Sequence, residues 1–236
     1  MKNSIILFSF LCIACGKNIT KEDTVFQLEV GDILFQDLDS SPLCDAIELV
    51  TPGFENGNFS HIGIVVETED LFCYRNPLDT EYNPNHHTWI LEAIPDEVVT
   101  TRIDTFLMRS SDDNNNPKVI VGRLKPTFTS AIKDAIIFSK SKLNMKYDNS
   151  FVLNNSMYYC SELIHEAFIK DSIFKLLPMT FLHPKTKDTL DIWKEYYKEL
   201  NIKIPQGDLG LNPGIMSLSK KIDIVHIYGY PKGMKK

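Results

Sequence analysis

The chain has 236 residues, 43% hydrophobic and 24% charged, which suits a folded globular protein of one large domain or two small ones. A net charge of -6 without basic clusters excludes a general nucleic-acid binder. No stretch reaches the roughly 20 apolar residues that a membrane-spanning helix needs.

Residues 1–15, from "MKNSIILFSFLCIAC", carry Lys2, an apolar run from Ile5 to Ala14, and then Cys15. A basic start, a short apolar segment and a small residue at the cut make up an export signal. A cysteine directly after the cut points to a bacterial lipoprotein with Cys15 as its lipid-bearing first residue. Cys12 departs from that pattern, which has Leu or Val three positions earlier. A plain secretory signal and an uncleaved anchor are the other readings. The first reading puts the protein outside the cytoplasm, lipid-anchored on the periplasmic or outer-membrane face of the envelope. Besides Cys12 and Cys15, the chain holds Cys44, Cys73 and Cys160. An odd number in an oxidising compartment leaves at least one free thiol. Cys44 and Cys73 could pair. No spacing resembles a zinc site, and neither a metal nor a cofactor is expected.

A tether (16–29) precedes the fold. "VGDILFQDL" (30–38) is a buried strand after a Gly-Asp turn in which Asp32 bonds local backbone. "SPLCDAIELVT" (41–51) has helical spacing, with Ser41 at the N-cap and Pro42 at the first position. "SHIGIVVET" (60–68) is β-branched and reads as a strand, as do 72–77, "TWILEAI" (88–94) and "KVIVGRL" (118–124). "VVTTRIDTFLMRS" (98–110) leads into a helical turn. Helices follow at 129–144, 159–171 and 186–200, the last starting near Thr186 or Asp188. The stretch 204–219 is a compact loop rich in Gly and Pro, and 221–230 closes as a strand. The order gives one α+β domain over 30–236, a mainly antiparallel sheet with helices on one side.

Cys160 lies where the run "SMYYC" becomes a helix. Helical spacing groups Cys160 with Leu163, Ile164, Ala167 and Phe168 on an inward face, leaving Ser161, Glu162, His165 and Glu166 on the wetter side. The helix alone leaves two readings: a small core residue, or a thiol activated by a helix N-terminus. His61 opens a strand beside Gly63, which leaves room for a ligand or another backbone. Glu92 is a carboxylate inside an apolar strand and requires a partner. His61 supplies one if the two strands are neighbours. Each is by itself also compatible with a structural residue.

Taken in order, "GDILF", "FSHIGIVV", "WILEAI" and "YYCSELIHEAF" resemble the permuted papain-like amidases of the YiiX/YaeF type, circularly permuted relatives of NlpC-type cell-wall peptidases. "LNMKYD", "TFLMR" and "PQGDLGLNPG" add to the resemblance, which covers roughly residues 30–228. It implies a papain-like, circularly permuted NlpC-type fold in which the cysteine helix follows the strands. It implies Cys160 as nucleophile, His61 as general base and acid, and Glu92 as the group orienting the imidazole. Many relatives have histidine or another polar residue where this chain has Glu92. The oxyanion would be held by the Cys160 backbone N–H, with Tyr147 or Tyr158 as side-chain donor. The relatives suggest an amide in a cell-wall peptide as substrate. An acyl-lipid or ester acted on by a hydrolase or acyltransferase is the second reading, and a non-catalytic binding module the rival from outside enzymes.

Other features are set aside. Glu162-x-x-His165 is a single copy of a motif that di-iron bundles need twice. His86 and His87 lie in a polar loop, and His226 in an alternating strand is structural. No phosphate- or dinucleotide-binding fingerprint is present.

Overall fold

The computed structural model describes residues 26–68 and 87–235. The export-signal segment with Cys12 and Cys15, most of the tether, Cys73, the strand expected at 72–77 and His86 lie outside the described residues. Strand β1 (Ile33–Gln36) is followed by helix α1 (Pro42–Val50). Three strands come next: β2 (His61–Glu67), β3 (Trp89–Ala93) and β4 (Val98–Arg102). Helix α2 (Ile103–Leu107) leads to β5 (Val119–Leu124), and α3 (Ile132–Lys140) to α4 (Cys160–Ala167). The chain ends with β6 (Leu177–Pro178), α5 (Asp191–Glu199), β7 (Leu209–Gly210), α6 (Pro213–Ser217) and β8 (Ile222–Ile227).

Among the described residues the main sheet has six strands in the order β4-β3-β2-β1-β5-β8, all antiparallel, and β6 pairs with β7 separately. The central strands are apolar at successive positions, so both faces of the sheet must be covered. Ile33 and Phe35 of β1 join Ile62 and Ile64 of β2 in one core, with Ala135 of α3 and Leu163 and Ile164 of α4. Leu34, Val65, Ile90 and Val121 join a second core with Leu28 and with Ile103 and Phe106 of α2. The expectation of helices on one side is therefore corrected: α2 and the segment before β1 cover the other face. A third core links α1 and α5 through Ala46, Phe181, Trp193 and Tyr197.

Several local readings shift for identifiable reasons. Ser41 is the N-cap of α1, but its hydroxyl reaches Cys44 Sγ at 3.5 Å instead of a backbone amide. The third helix starts at Asp191, later than expected, because the imidazole Nδ1 of His183 accepts from the amides of Lys185 and Thr186 and holds that segment as a turn. The loop read at 204–219 contains β7 and α6. Asn212 caps α6 by accepting from the Ile215 amide at 2.9 Å. A β-carbon at Gly214 would lie 2.3 Å from the Thr51 carbonyl oxygen, so only glycine lets this segment approach the end of α1.

Gly63 has the same role inside the sheet. A β-carbon there would meet Ile90 Cγ2 at 2.5 Å and Phe106 Cε2 at 3.2 Å. Gly63→Ala is expected to cost about 1–3 kcal/mol in urea denaturation through overpacking. Unchanged stability would show that Ile90 and Phe106 repack freely.

Candidate active site

Cys160 is the first residue of α4, after Tyr159 in extended conformation at the N-cap. The Tyr159 side chain does not cap this end, and the partial positive charge of the first-turn amides lies at the thiol. Cys160 is buried, its Sγ 4.0 Å from the Ser60 carbonyl oxygen and 3.8 Å from Ser161 Oγ. The inward face expected for this helix is found. The wetter side is not: Ser161, Glu162 and His165 are buried too. Glu162 packs near Tyr159, Asn154 and Asp148, and burial, with the Asp148 charge adding to it, pushes its carboxyl up to about 8.

His61 opens β2, and its Nε2 lies 2.5 Å from Glu92 Oε2 on β3. With Nε2 so engaged, Nδ1 is the ring nitrogen left for Cys160, whose thiol is near enough to act on the imidazole. Burial alone would lower the His61 pKa. The interaction with Cys160, the hydrogen bond to Glu92 and the Glu92 charge outweigh it and lift the imidazole to about 9.

Glu92 has no exposed surface. Its Oε1 accepts from Thr101 Oγ1 on β4 and from Arg109 Nη2 at 2.6 Å, and its Oε2 from Arg109 Nη1 at 2.6 Å as well as from His61. Burial would raise this carboxyl, but His61 and Arg109 hold it at about 2. The residues thus brought together, Cys160, His61 and Glu92, are those singled out in the sequence. Arg109 and Thr101 were not. Arg109 ends "TFLMR", a stretch whose pattern gives no sign that its last side chain returns to the sheet.

The two tyrosines part company. Tyr147 lines the cleft at Cys160, and burial together with the neighbouring thiol raises its phenol well above the usual value. Tyr158 packs edge-on against Phe138 at 6.3 Å, with Lys142 Nζ 5.3 Å above its ring. It does not line the cleft, and Tyr159 faces it instead.

The cleft measures about 850 Å³ counted to its open mouth. Ile47 and Val50 of α1, Met179 and Phe181 near β6, and Trp193 of α5 form its walls with the 210–215 segment. The "PQGDLGLNPG" stretch is therefore one wall. Among the described residues no charged side chain lines it.

The remaining candidates lie elsewhere. His226 stacks on Phe26 at 4.2 Å, as a structural residue would. Asp32 accepts from the Glu29 amide and also pairs with Arg123. His87 is exposed. Among the described residues, Cys44 and Cys160 are free thiols, and no group of three or more His, Cys, Asp or Glu side chains could hold a metal ion.

The model of the permuted papain-like amidase enzymes, YaeF/YiiX, C92 family, matches residues 27–217. A crystal structure described as that of the metalloprotein YiiX from Escherichia coli O157:H7 superposes with a TM-score of 0.65. It is 19% identical and covers 87% of this chain and 100% of its own. At that identity the likeness is one of fold. No curated protein matches the chain.

Two titrations set the pH dependence of stability. Glu92, depressed from 4.5 to about 2, contributes stability that is present above pH 4.5 and lost as pH falls towards 2. His61, raised from 6.5 to about 9, contributes stability that is present below pH 6.5 and lost as pH rises through 9. The urea midpoint is expected to be highest between these limits, and Glu92→Gln should flatten the acid limb. Breaking a fully buried pair costs about 3–5 kcal/mol. Arg109 keeps a quarter of its side chain in water, so roughly 2–3 kcal/mol is expected for Glu92→Gln.

Proposed function

The chain belongs to the permuted papain-like amidases of the YaeF/YiiX type, a family of papain-like cysteine hydrolases, and we propose that Cys160, His61 and Glu92 are its catalytic triad. The observation that carries this reading is a helix-terminal thiol beside a buried imidazole that is itself hydrogen-bonded to a buried carboxylate, at the wall of a cleft.

The chemistry follows from the geometry. His61 Nδ1 takes the Cys160 proton, and the thiolate attacks the substrate carbonyl carbon. The resulting oxyanion is held by the Cys160 backbone N–H, at a helix end that favours negative charge. Tyr147, kept protonated by burial, is the side-chain donor in this scheme. His61 then protonates the leaving amine or alcohol, and the acyl group remains on sulfur as a thioester. His61 next takes a proton from water, whose oxygen displaces the thiolate and releases a carboxylic acid.

Two acyl groups compete for the cleft. A cell-wall peptide is the substrate class of the NlpC-type relatives. The uncharged lining favours the second reading, an apolar acyl group in amide or ester linkage, since charged peptide side chains would find no partner in it. The pattern of residues 1–15 supports placing the enzyme at the bacterial envelope with Cys15 lipidated. Among the described residues no helix is long and apolar enough to cross a membrane.

Release of free carboxylate from an N-acyl amide and from a cell-wall peptide, followed by mass spectrometry, separates the two. The acyl amide is expected to be cleaved, Cys160→Ala to abolish turnover, and His61→Ala to lower it by roughly 10²–10⁴-fold. Cleavage of the peptide alone would return the first reading. Turnover that survives Cys160→Ala would remove the triad.

A further inference from the structure

Glu92 is held from the side opposite the thiol. Helix α4 packs on one face of the sheet, while α2 covers the other through Ile103 and Phe106. Just beyond α2 the Arg109 guanidinium folds back 5.4 Å from the centre of the Phe106 ring and reaches Glu92 with two nitrogens, each at 2.6 Å. Such a paired contact fixes the carboxylate plane as well as its charge.

We propose that Arg109 is a positioning residue of the site, whose paired contact keeps Glu92 an oriented carboxylate and so supports the His61 imidazolium beside a Cys160 thiolate. The proposal rests on the triad reading above. When Cys160 is a thiolate and His61 an imidazolium, Glu92 adds a second negative charge, and Arg109 supplies the cation that balances it. Without Arg109, burial favours the protonated Glu92 carboxyl, the His61 imidazolium loses its counter-charge, and the neutral thiol is favoured. The contact also acts geometrically. With Thr101 and Arg109 on Oε1 and Arg109 on Oε2, the remaining direction of Oε2 is the one that His61 Nε2 occupies, which turns Nδ1 to the thiol.

The groups facing these residues come from every neighbouring element. Glu92 faces His61 from β2, neutral Thr101 from β4 and Arg109 beyond α2. Cys160 faces His61, and Tyr147 and Tyr159, which burial keeps protonated. Glu48, buried on α1 and pushed up to about 7 chiefly by burial, lies near the start of β2 with Asp37 and Lys118, which pair with each other. Its contribution is separated with Glu48→Gln.

The test is the rate of Cys160 alkylation by iodoacetamide against pH, read by peptide mass spectrometry so that other thiols do not interfere. Arg109→Met, Arg109→Lys and His61→Ala are compared with the native chain. Arg109→Met is expected to move the midpoint to higher pH, with about tenfold slower alkylation at pH 6. Arg109→Lys keeps the charge and is expected to restore most of that loss. A profile in Arg109→Met that superposes on the native one, whatever its thermal stability, would overturn the proposal. Should Arg109→Met not fold, Arg109→Lys decides: a profile displaced by a full pH unit with the charge retained would do the same. If His61→Ala also leaves the profile unmoved, the triad reading fails. If His61→Ala moves it and the Arg109 variants do not, only the role of Arg109 is lost.

Discussion

A carboxylate shut away from water keeps its charge only where donors converge on it, and four contacts converge on Glu92. They set the position of most of what surrounds the site. Thr101 can reach Glu92 because β3 and β4 pair in a register that sets Thr101 opposite Ile90, one diagonal step away. His61 is in place because β2 joins β3 on one edge and β1 on the other. Arg109 arrives only because α2 turns immediately after β4 and packs Phe106 against the sheet.

Cys160 is brought to this group from the other direction. Its Sγ touches the carbonyl oxygen of Ser60, just before β2 and 100 residues away in sequence. The thiol therefore meets the imidazole only when α4 has docked over Ile62, Ile64 and Leu91. Thiol, imidazole and carboxylate lie on separate elements, so the geometry of the site depends on the packing of the first core as much as on its hydrogen bonds. This is also why Gly63 is constrained: any side chain there presses on Phe106, which His61 faces at 5.8 Å and over which Arg109 lies.

Some of this was legible in the sequence. His61 and Glu92 stood out because a polar residue in a β-branched run contradicts its surroundings, and Cys160 because an extended segment turned helical at that residue. Five of the six strands were read as strands from apolar or alternating runs, whereas β4, "VVTTR", was read only as the approach to a helical turn. The second covered face was implicit in the continuous burial of β1 and β2, but a five-residue helix such as α2 is too short to show a period. Arg109 left no signal for the same reason. One cation after a short turn looks like any surface cation until the tertiary fold supplies its partner. The late start of α5 was hidden because it depends on His183, a side chain outside the helix.

The cleft walls are drawn from α1, the 177–181 segment, α5 and the 210–215 segment, whereas His61, Glu92, Thr101 and Arg109 belong to the sheet and to the turn after α2. Cys160 stands at the seam between these two sets. On the proposed reading, recognition and proton handling are thus written on separate pieces of chain. Wall residues such as Met179 or Ile215 can be exchanged for others without altering a single contact to Glu92. A scaffold divided in this way is suited to diversify in what it accepts while its reactive centre stays constant, and wall residues are the natural targets for redirecting it.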